Sequence, residues 1–254
     1  MDRLDEALLA EPCTTKGGRR LSVGLARERA EIRAAQRLRW RIFGGEMGAT
    51  LHSPEPGLDQ DRFDAFCDHL VVRDGSEIVG TYRLLSPDAA RRAGAYYSED
   101  EFDLSRLQPI RGRLAELGRS CIDPRYRTGG VIALLWSGIS RYALERGYEY
   151  LAGCASMSAA DGGGSARVVY AGLPAASMAP GEHRVFPRRA LPARRSGCGA
   201  KTSLPPLFKG YLRCGAYVCG EPAWDPEFDT ADFFMLLPMS RMAARYARHF
   251  LGKT

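Results

Sequence analysis

Glu116 and Arg119 stand three residues apart at the end of an apolar, β-prone run. The chain then turns at Asp123-Pro124 into Arg125-Tyr126-Arg127-Thr128-Gly129-Gly130 and enters a long apolar stretch from Val131 to Arg146. Strand, Arg/Gly loop and helix in that order suit an anion, because backbone N–H groups and the positive helix end converge on one point. Arg125, Arg127, Gly129 and Gly130 are therefore candidates for holding phosphate. Backbone groups from Ser120 to Ile122 are candidates for stabilising an oxyanion. A phosphate cradle beside an acid and a guanidinium points to an enzyme that takes a group from a phosphate-bearing donor.

Residues three apart on a strand face opposite ways, so Glu116 and Arg119 can share a site only across a bulge or turn. Further charges lie upstream. Asp59, Asp61 and Asp64 close a polar loop, and as negative groups they suit a cationic substrate or a solvated surface. Arg39, Arg83 and Arg119 can fork onto a carboxylate. Phe43, with Trp40 and Met47, can line an acyl channel or fill a helix core.

The elements that must carry these groups alternate. Leu21 to Ala26 reads as a strand, Glu28 to Phe43 as a helix ended by Gly44-Gly45, and residues 46–67 as a loop. A hairpin follows, with strands at His69 to Arg73 and Ile78 to Leu85 about an Asp74-Gly75 turn. Residues 86–109 read as helical turns and loop. Arg113 to Ile122 is a strand, Val131 to Arg146 a helix and Tyr148 to Ala152 a strand. A short helix is expected at Ser165 to Gly172, strands at Tyr211 to Cys219 and Phe233 to Leu237, and a last helix from Met239 to Leu251. This is a mixed α/β sheet, not a doubly wound parallel fold. Residues 1–20 read as a flexible segment and 21–254 as one domain.

The 254 residues are 45% hydrophobic and 26% charged, ordinary for a globular protein. No run reaches the roughly 18 apolar residues of a membrane span, and Met1 to Leu9 lacks signal-peptide order, so a cytoplasmic protein is expected. The net charge of +6 favours an acidic partner. Arginines concentrate at Arg184 to Arg195, with Arg19, Arg20, Arg125 and Arg127 elsewhere. They are not interleaved with aromatics, which argues against nucleic acid. Seven cysteines at scattered positions form no CxxC, so no metal site is expected.

Pro124 to Gly130 resembles the acyl-CoA loop of the GCN5-related N-acetyltransferases, Q/R-x-x-G-x-G/A, departing from it at Ile132. Arg39-Trp40-Arg41-Ile42-Phe43 resembles the R-x-x-V-F of acyl-homoserine-lactone synthases. Asp59 to Asp64 resembles their E-x-D-x-Y-D, Gly80 to Leu84 their G-x-x-R-L, and Glu116 to Arg119 their E-x-x-R. Other segments resemble bacterial ornithine N-alpha-acyltransferases: Glu116 to Ser120, Ala133 to Trp136, Pro205 to Arg213 and Asp232-Phe233-Phe234. That resemblance covers about residues 21–250.

The resemblance implies the acetyltransferase-type fold with a C-terminal extension. It also implies transfer of a fatty acyl group, 3-hydroxyacyl in type, from acyl carrier protein to the α-amine of ornithine. The donor's phosphopantetheine, on Ser120, Ile122, Arg125, Arg127, Gly129 and Gly130, takes the place of any tightly bound cofactor. Glu116 is then the base, with Arg119 beside it, and Arg39, Phe43, Asp61, Asp64 and Arg83 bind the substrate. Tyr170 stands where many acetyltransferases place the acid that protonates the leaving thiolate. The basic stretch would dock the acidic carrier protein or touch the inner membrane peripherally. Lactone synthesis, synthesis of other N-acyl amino acids, and a non-catalytic carrier- or membrane-binding module remain as alternatives.

Overall fold

A computed structural model describes residues 13–14, 20–127, 129–192 and 203–242. Short strand β1 (Cys13–Thr14) pairs with β2 (Arg20–Leu25), which is followed by helix α1 (Arg29–Arg39). The hairpin strands are β3 (Asp68–Asp74) and β4 (Glu77–Leu85), then α2 (Pro87–Ala93) and the two-residue β5 (Phe102–Asp103). Strand β6 (Leu114–Ile122) leads through the Arg/Gly loop to α3 (Gly130–Glu145), β7 (Tyr150–Ser158) and α4 (Gly164–Ala171). The chain closes with β8 (Phe186–Pro187), α5 (Pro206–Cys214), β9 (Tyr217–Val218), β10 (Ala223–Asp225) and β11 (Thr230–Pro238).

The main sheet runs β1-β2-β3-β4-β6-β7-β11-β10, with β9 also on β11 and with β5 and β8 paired apart from it. Among the described residues every pairing of named strands in this sheet is antiparallel except β6 with β7. Alternation along β3 shows how the sheet is covered. Leu70 and Val72 pack in the cluster that holds Leu135 and Ile139 of α3, while Val71 joins Ala35 and Leu38 of α1 on the other face. A third cluster, with Tyr96, Phe102 and Phe234, closes the end near β5.

The parallel seam is short. Leu114, Ala115 and Glu116 pair with Tyr150, Leu151 and Ala152, and then the two strands part. Gly153 marks the divide: a Cβ there would lie 2.2 Å from the Leu117 carbonyl oxygen, so only glycine fits the approach. Beyond it β7 continues on β11 and β6 on β4, leaving a wedge between them.

On β6, Thr81 faces Cys121 but Arg83 faces Gly118, so β6 carries one extra residue there. Arg119 has the left-handed φ of 50° at this bulge. That is the irregularity the Glu116–Arg119 spacing required.

Several elements depart from expectation. The first helix changes to a π-turn at Trp40–Glu46, with Met47 N donating to Ile42 O at 2.9 Å. Tyr211 to Cys214 is helix, not strand. Pro206 starts that helix, Phe208, Tyr211 and Cys214 bury one face, and Gly215 at φ 103° ends it. Strand β7 runs on to Ser158 because β11 pairs along its whole length. Met239–Arg241 is a 3-10 turn; the remainder of the expected last helix lies outside the described residues, as does most of 1–20.

Gly153→Ala should cost about 1–3 kcal/mol, since the added methyl must push back β6 or β7. Urea unfolding followed by circular dichroism measures it.

Candidate active site

Three arginines and three aspartates meet behind the wedge. Arg39, with no exposed surface, places Nε 2.8 Å from Asp59 Oδ2 and Nη2 2.7 Å from Asp64 Oδ1. Arg83 Nη1 lies 2.7 Å from Asp61 Oδ1 and 2.9 Å from Asp64 Oδ2. Asp64 thus divides its two oxygens between two buried guanidinium groups, and Gln36 Nε2 adds a hydrogen bond at 3.1 Å. Burial alone would raise the Asp64 carboxyl. Arg39 and Arg83 outweigh it and hold the group well below the usual carboxylate range. His69, buried beside Asp64, is pushed down by desolvation and by Arg39, so its ring stays neutral near pH 7.

Arg119 is held differently. Its Nε and Nη2 each stand 3.4 Å from an aspartate oxygen, of Asp59 and Asp61, and Nη1 donates to the Tyr97 hydroxyl at 3.2 Å. Its guanidinium carbon lies 4.9 Å from the Tyr97 ring centre and 4.8 Å from that of Phe228. Stacked between rings and loosely paired, it faces two cavities at once.

The larger cavity, about 470 Å³, carries an excess of acid: Asp61, Asp100, Glu101, Asp225 and Glu227 line it against Arg62, Arg119 and Arg189, and Arg62 is paired with Asp100. A second, about 230 Å³, fills the wedge. Phe43, Met47, Leu117, Leu207 and Phe228 give it apolar walls, and Ser120, Cys154, Ser156, Thr230 and Asp232 add polar atoms. Tyr97, Arg119 and Asp225 border both. The Tyr82 and Tyr211 hydroxyls, 2.5 Å apart, also face the wedge.

Of the substrate residues expected from sequence, Asp61 faces the acidic cavity and Phe43 the apolar one. Arg39, Arg83 and Asp64 do not: they pair in the interior with one another and with Asp59 and Asp61, the two aspartates beside Arg119. Glu116 also departs from expectation. It is 4% exposed and lines neither large cavity. Its Oε2 accepts from Tyr97 N at 2.6 Å, and its Oε1 from Ser98 N at 2.8 Å and from the Ser98 hydroxyl. Burial raises this carboxyl, and these donors pull against the rise. Its geometry is that of an anchor for the 97–100 turn, which presents Tyr97 to the site.

Ser120 faces the wedge, and β6 carries on through Ile122 to the Arg/Gly loop. There Asp123 Oδ1 accepts from Arg125 N at 3.0 Å and Nε at 2.9 Å, and Arg127 Nε donates to Ile122 O at 3.1 Å. Arg125 and Arg127 also pair with Glu77 and Glu46. Gly129, at φ 90°, turns the chain into α3, whose first turn holds no acid. Gly130 begins the helix with no side chain in the way of its free N–H groups.

Tyr170 lines a separate cavity of about 200 Å³ with Arg167 and Leu191, so it stands apart from the wedge. Arg184 and Arg188 are tied to Tyr170 OH and to Glu99 O, while Arg194, Arg195 and Arg19 lie outside the described residues.

Sequence reasoning missed Tyr97, Glu101 and Asp225. Tyr97 and Glu101 sit in one short polar turn with no periodicity to mark them, and Asp225 ends the three-residue strand β10. Asp232 stood in a motif already singled out, without a role.

A sheet split at one parallel seam, with a bulge and a glycine loop opening onto the split, defines an acyltransferase of the GCN5-related type. Residues 38–137 match the model of the acetyltransferase (GNAT) domain. Over nearly their whole length, solved structures share the fold: the AHL synthase LasI (TM-score 0.52, 12% identity, 93% of this chain and 98% of that one) and FeeM, an N-acyl amino acid synthase from uncultured soil microbes (TM-score 0.54, 14% identity, 89% and 94%). The chain belongs to the L-ornithine N(alpha)-acyltransferase family. It is 40% identical to the Brucella abortus member over 91% of this chain and 88% of that one, and 38% identical to the Rhizobium meliloti member over 95% and 88%.

Asp64→Asn should destabilise the fold by about 3–5 kcal/mol at pH 7, because two buried guanidinium groups lose a shared anion. The folded-state carboxyl ionises below its unfolded value, so its stabilisation is fully present above about pH 5. The gap between wild type and variant should then narrow as pH falls below about 4, which chemical denaturation across pH measures.

Proposed function

We propose that the protein transfers a fatty acyl group, 3-hydroxyacyl in type, from the phosphopantetheine thioester of acyl carrier protein to the α-amine of L-ornithine. The observation that carries this reading is the junction of an acidic and an apolar cavity at Arg119. A diamino acid brings two cations and one anion. Its cationic groups match Asp61, Asp225 and Glu227, and its carboxylate matches Arg119, whose aspartate contacts are long enough to yield to a better partner.

The acyl chain lies between Phe43, Met47, Leu117, Leu207 and Phe228, and its thioester carbonyl meets the bulge at Arg119–Ser120. A bulge releases backbone groups from the ladder, and an N–H so released would stabilise the tetrahedral oxyanion. Outward from Ser120, the pantetheine arm follows β6 past Ile122, and its phosphate reaches the Gly129–Gly130 end of α3 beside Arg125 and Arg127. The Tyr82–Tyr211 hydroxyl pair stands within the wedge to protonate the leaving thiolate. The product has a single acyl chain. No helix among the described residues is long and apolar enough to cross a membrane.

Purified protein incubated with 3-hydroxypalmitoyl carrier protein and single acceptors tests this by mass spectrometry. N-acyl-ornithine is expected, without product from S-adenosylmethionine or tyrosine; product from another amino acid alone overturns the acceptor. Arg119→Ala should raise KM for ornithine about 10–100-fold, the worth of one charged hydrogen-bonding contact.

A further inference from the structure

Every other acid of the candidate site's interior has a donor set of its own. Asp59, Asp61 and Asp64 are paired with arginines, and Glu116 is filled by the donors of the 97–100 turn. Glu101, Asp225 and Asp232 are different: among the described residues, no lysine or arginine pairs with any of them. Asp232 is 5% exposed and Asp225 9%. Glu101 is half-buried, tied by its own N–H to Ser98 O at 3.1 Å and by its carbonyl to Arg188 N at 2.8 Å.

Carboxylate oxygens of Glu101 and Asp232 and the Cys154 sulfur all lie within 4.8 Å of one another. Two carboxyls this close in a desolvated wall cannot both ionise, so they hold one proton between them. Burial, with Asp232 and Asp225 nearby, pushes Glu101 well above its ordinary value; burial, with Asp225 nearby, pushes Asp232 up to about 6 against the pull of hydrogen bonds from Thr230, Ser156 and Glu101.

The placement gives the pair its use. Glu101 lines the acidic cavity and Asp232 the apolar wedge, so the two meet through the partition between acceptor and donor. Asp225, open to both cavities, has its Oδ1 committed to Glu227 N at 2.8 Å and Phe228 N at 3.3 Å. Asp232 is fixed by the Thr230 hydroxyl at 2.8 Å. A buried anionic pair without a cation of its own, opening on a cavity where acids outnumber arginines, would be completed by the substrate's ammonium group.

We propose that the Glu101–Asp232 carboxyl pair is the catalytic base that removes the proton from the acceptor's α-ammonium. This rests on the acyl-transfer reading above. In the step, an N–H bond of the ammonium breaks and an O–H bond forms on the pair. The freed nitrogen lone pair attacks the thioester carbonyl carbon. As the tetrahedral intermediate collapses, the C–S bond breaks, the Tyr82–Tyr211 hydroxyl pair gives a proton to the sulfur, and the second N–H proton replaces it on the pair of hydroxyls. Ammonium plus thioester becomes amide plus thiol, and the proton on the pair returns to water through the open acidic cavity.

Glu101→Gln and Asp232→Asn test the assignment. Each should lower kcat about 10²–10⁴-fold near pH 7 and remove the rising limb near pH 6 from the wild-type kcat/KM profile. The groups facing the pair are Asp225 on β10, Cys154 and Ser156 on β7, Thr230 on β11, and Tyr97 and Ser98 on the turn. Activity of the variants should recover above about pH 8, where the acceptor's amine loses its proton unaided. A purely structural defect would not recover with pH.

Variants that retain wild-type turnover and the same limb overturn the proposal, as do folded variants that stay inactive at alkaline pH. If thermal melts show both variants unfolded, the wild-type profile decides, and absence of a limb near pH 6 overturns it. A wild-type protein inactive with ornithine defeats the acyl-transfer reading instead, before any variant is compared.

Discussion

Two strands that run side by side for three residues and then separate set the plan of the molecule. Until Glu116 and Ala152 the sheet is continuous; from Gly153 onward each strand is held only by its outer neighbour. A split of this kind leaves backbone groups and apolar side chains facing a gap, which is unfavourable unless something fills it. Here the walls of the gap are Leu117 to Ser120 on one side and Cys154 and Ser156 on the other, with Leu207 and Tyr211 of α5 beside them. An extended acyl thioester is the right shape for such a space. The bulge at Arg119 and the start of α3 lie on one continuous stretch of chain, so in the proposed reaction carbonyl, arm and phosphate would be addressed in sequence.

The arginine–aspartate network does a second job. Interior guanidinium groups are costly to desolvate, and Arg39 and Arg83 are tolerated because Asp59, Asp61 and Asp64 answer them at hydrogen-bonding distance. In exchange, the loop before β3, which has little regular structure, is fixed against α1 and β4. Asp61 and Arg119 are the members left facing the cavity. Charge pairs that look from sequence like ligand groups are mostly the frame that aims the remaining two.

This explains what was legible. Charged residues at fixed spacing inside apolar elements stand out, so Arg39, Arg83, Glu116 and Arg119 could be found, and the β-loop-α order fixed the fold class. Which of them touch substrate was not legible, because saturation by a partner is a tertiary fact: Asp64 and Asp61 differ by three positions and by everything about their surroundings. Glu101 was hidden by its neighbours, since Ser98-Glu99-Asp100-Glu101 has the composition of a solvated turn. Only the pairing of β11 on β7 brings Asp232 to it. The stretch Tyr211 to Cys219 misled because aromatic and β-branched residues favour strands, whereas Pro206 and Gly215 bound a short helix whose buried face is set by contact with β11.

Asp64 serves two arginines with its two oxygens, and Arg83 in turn serves two aspartates. No member of such a closed loop can change alone without leaving another buried and unmatched, so the effects of substitutions will be strongly interdependent. A lineage exploring new acceptors is therefore channelled. The rim of the acidic cavity, at Asp100, Arg189 and Glu227, is free to drift residue by residue, whereas the ionic lattice beneath it moves only by coordinated replacement. Acceptor preference should diversify at the rim while the lattice persists as a fossil of the common ancestor.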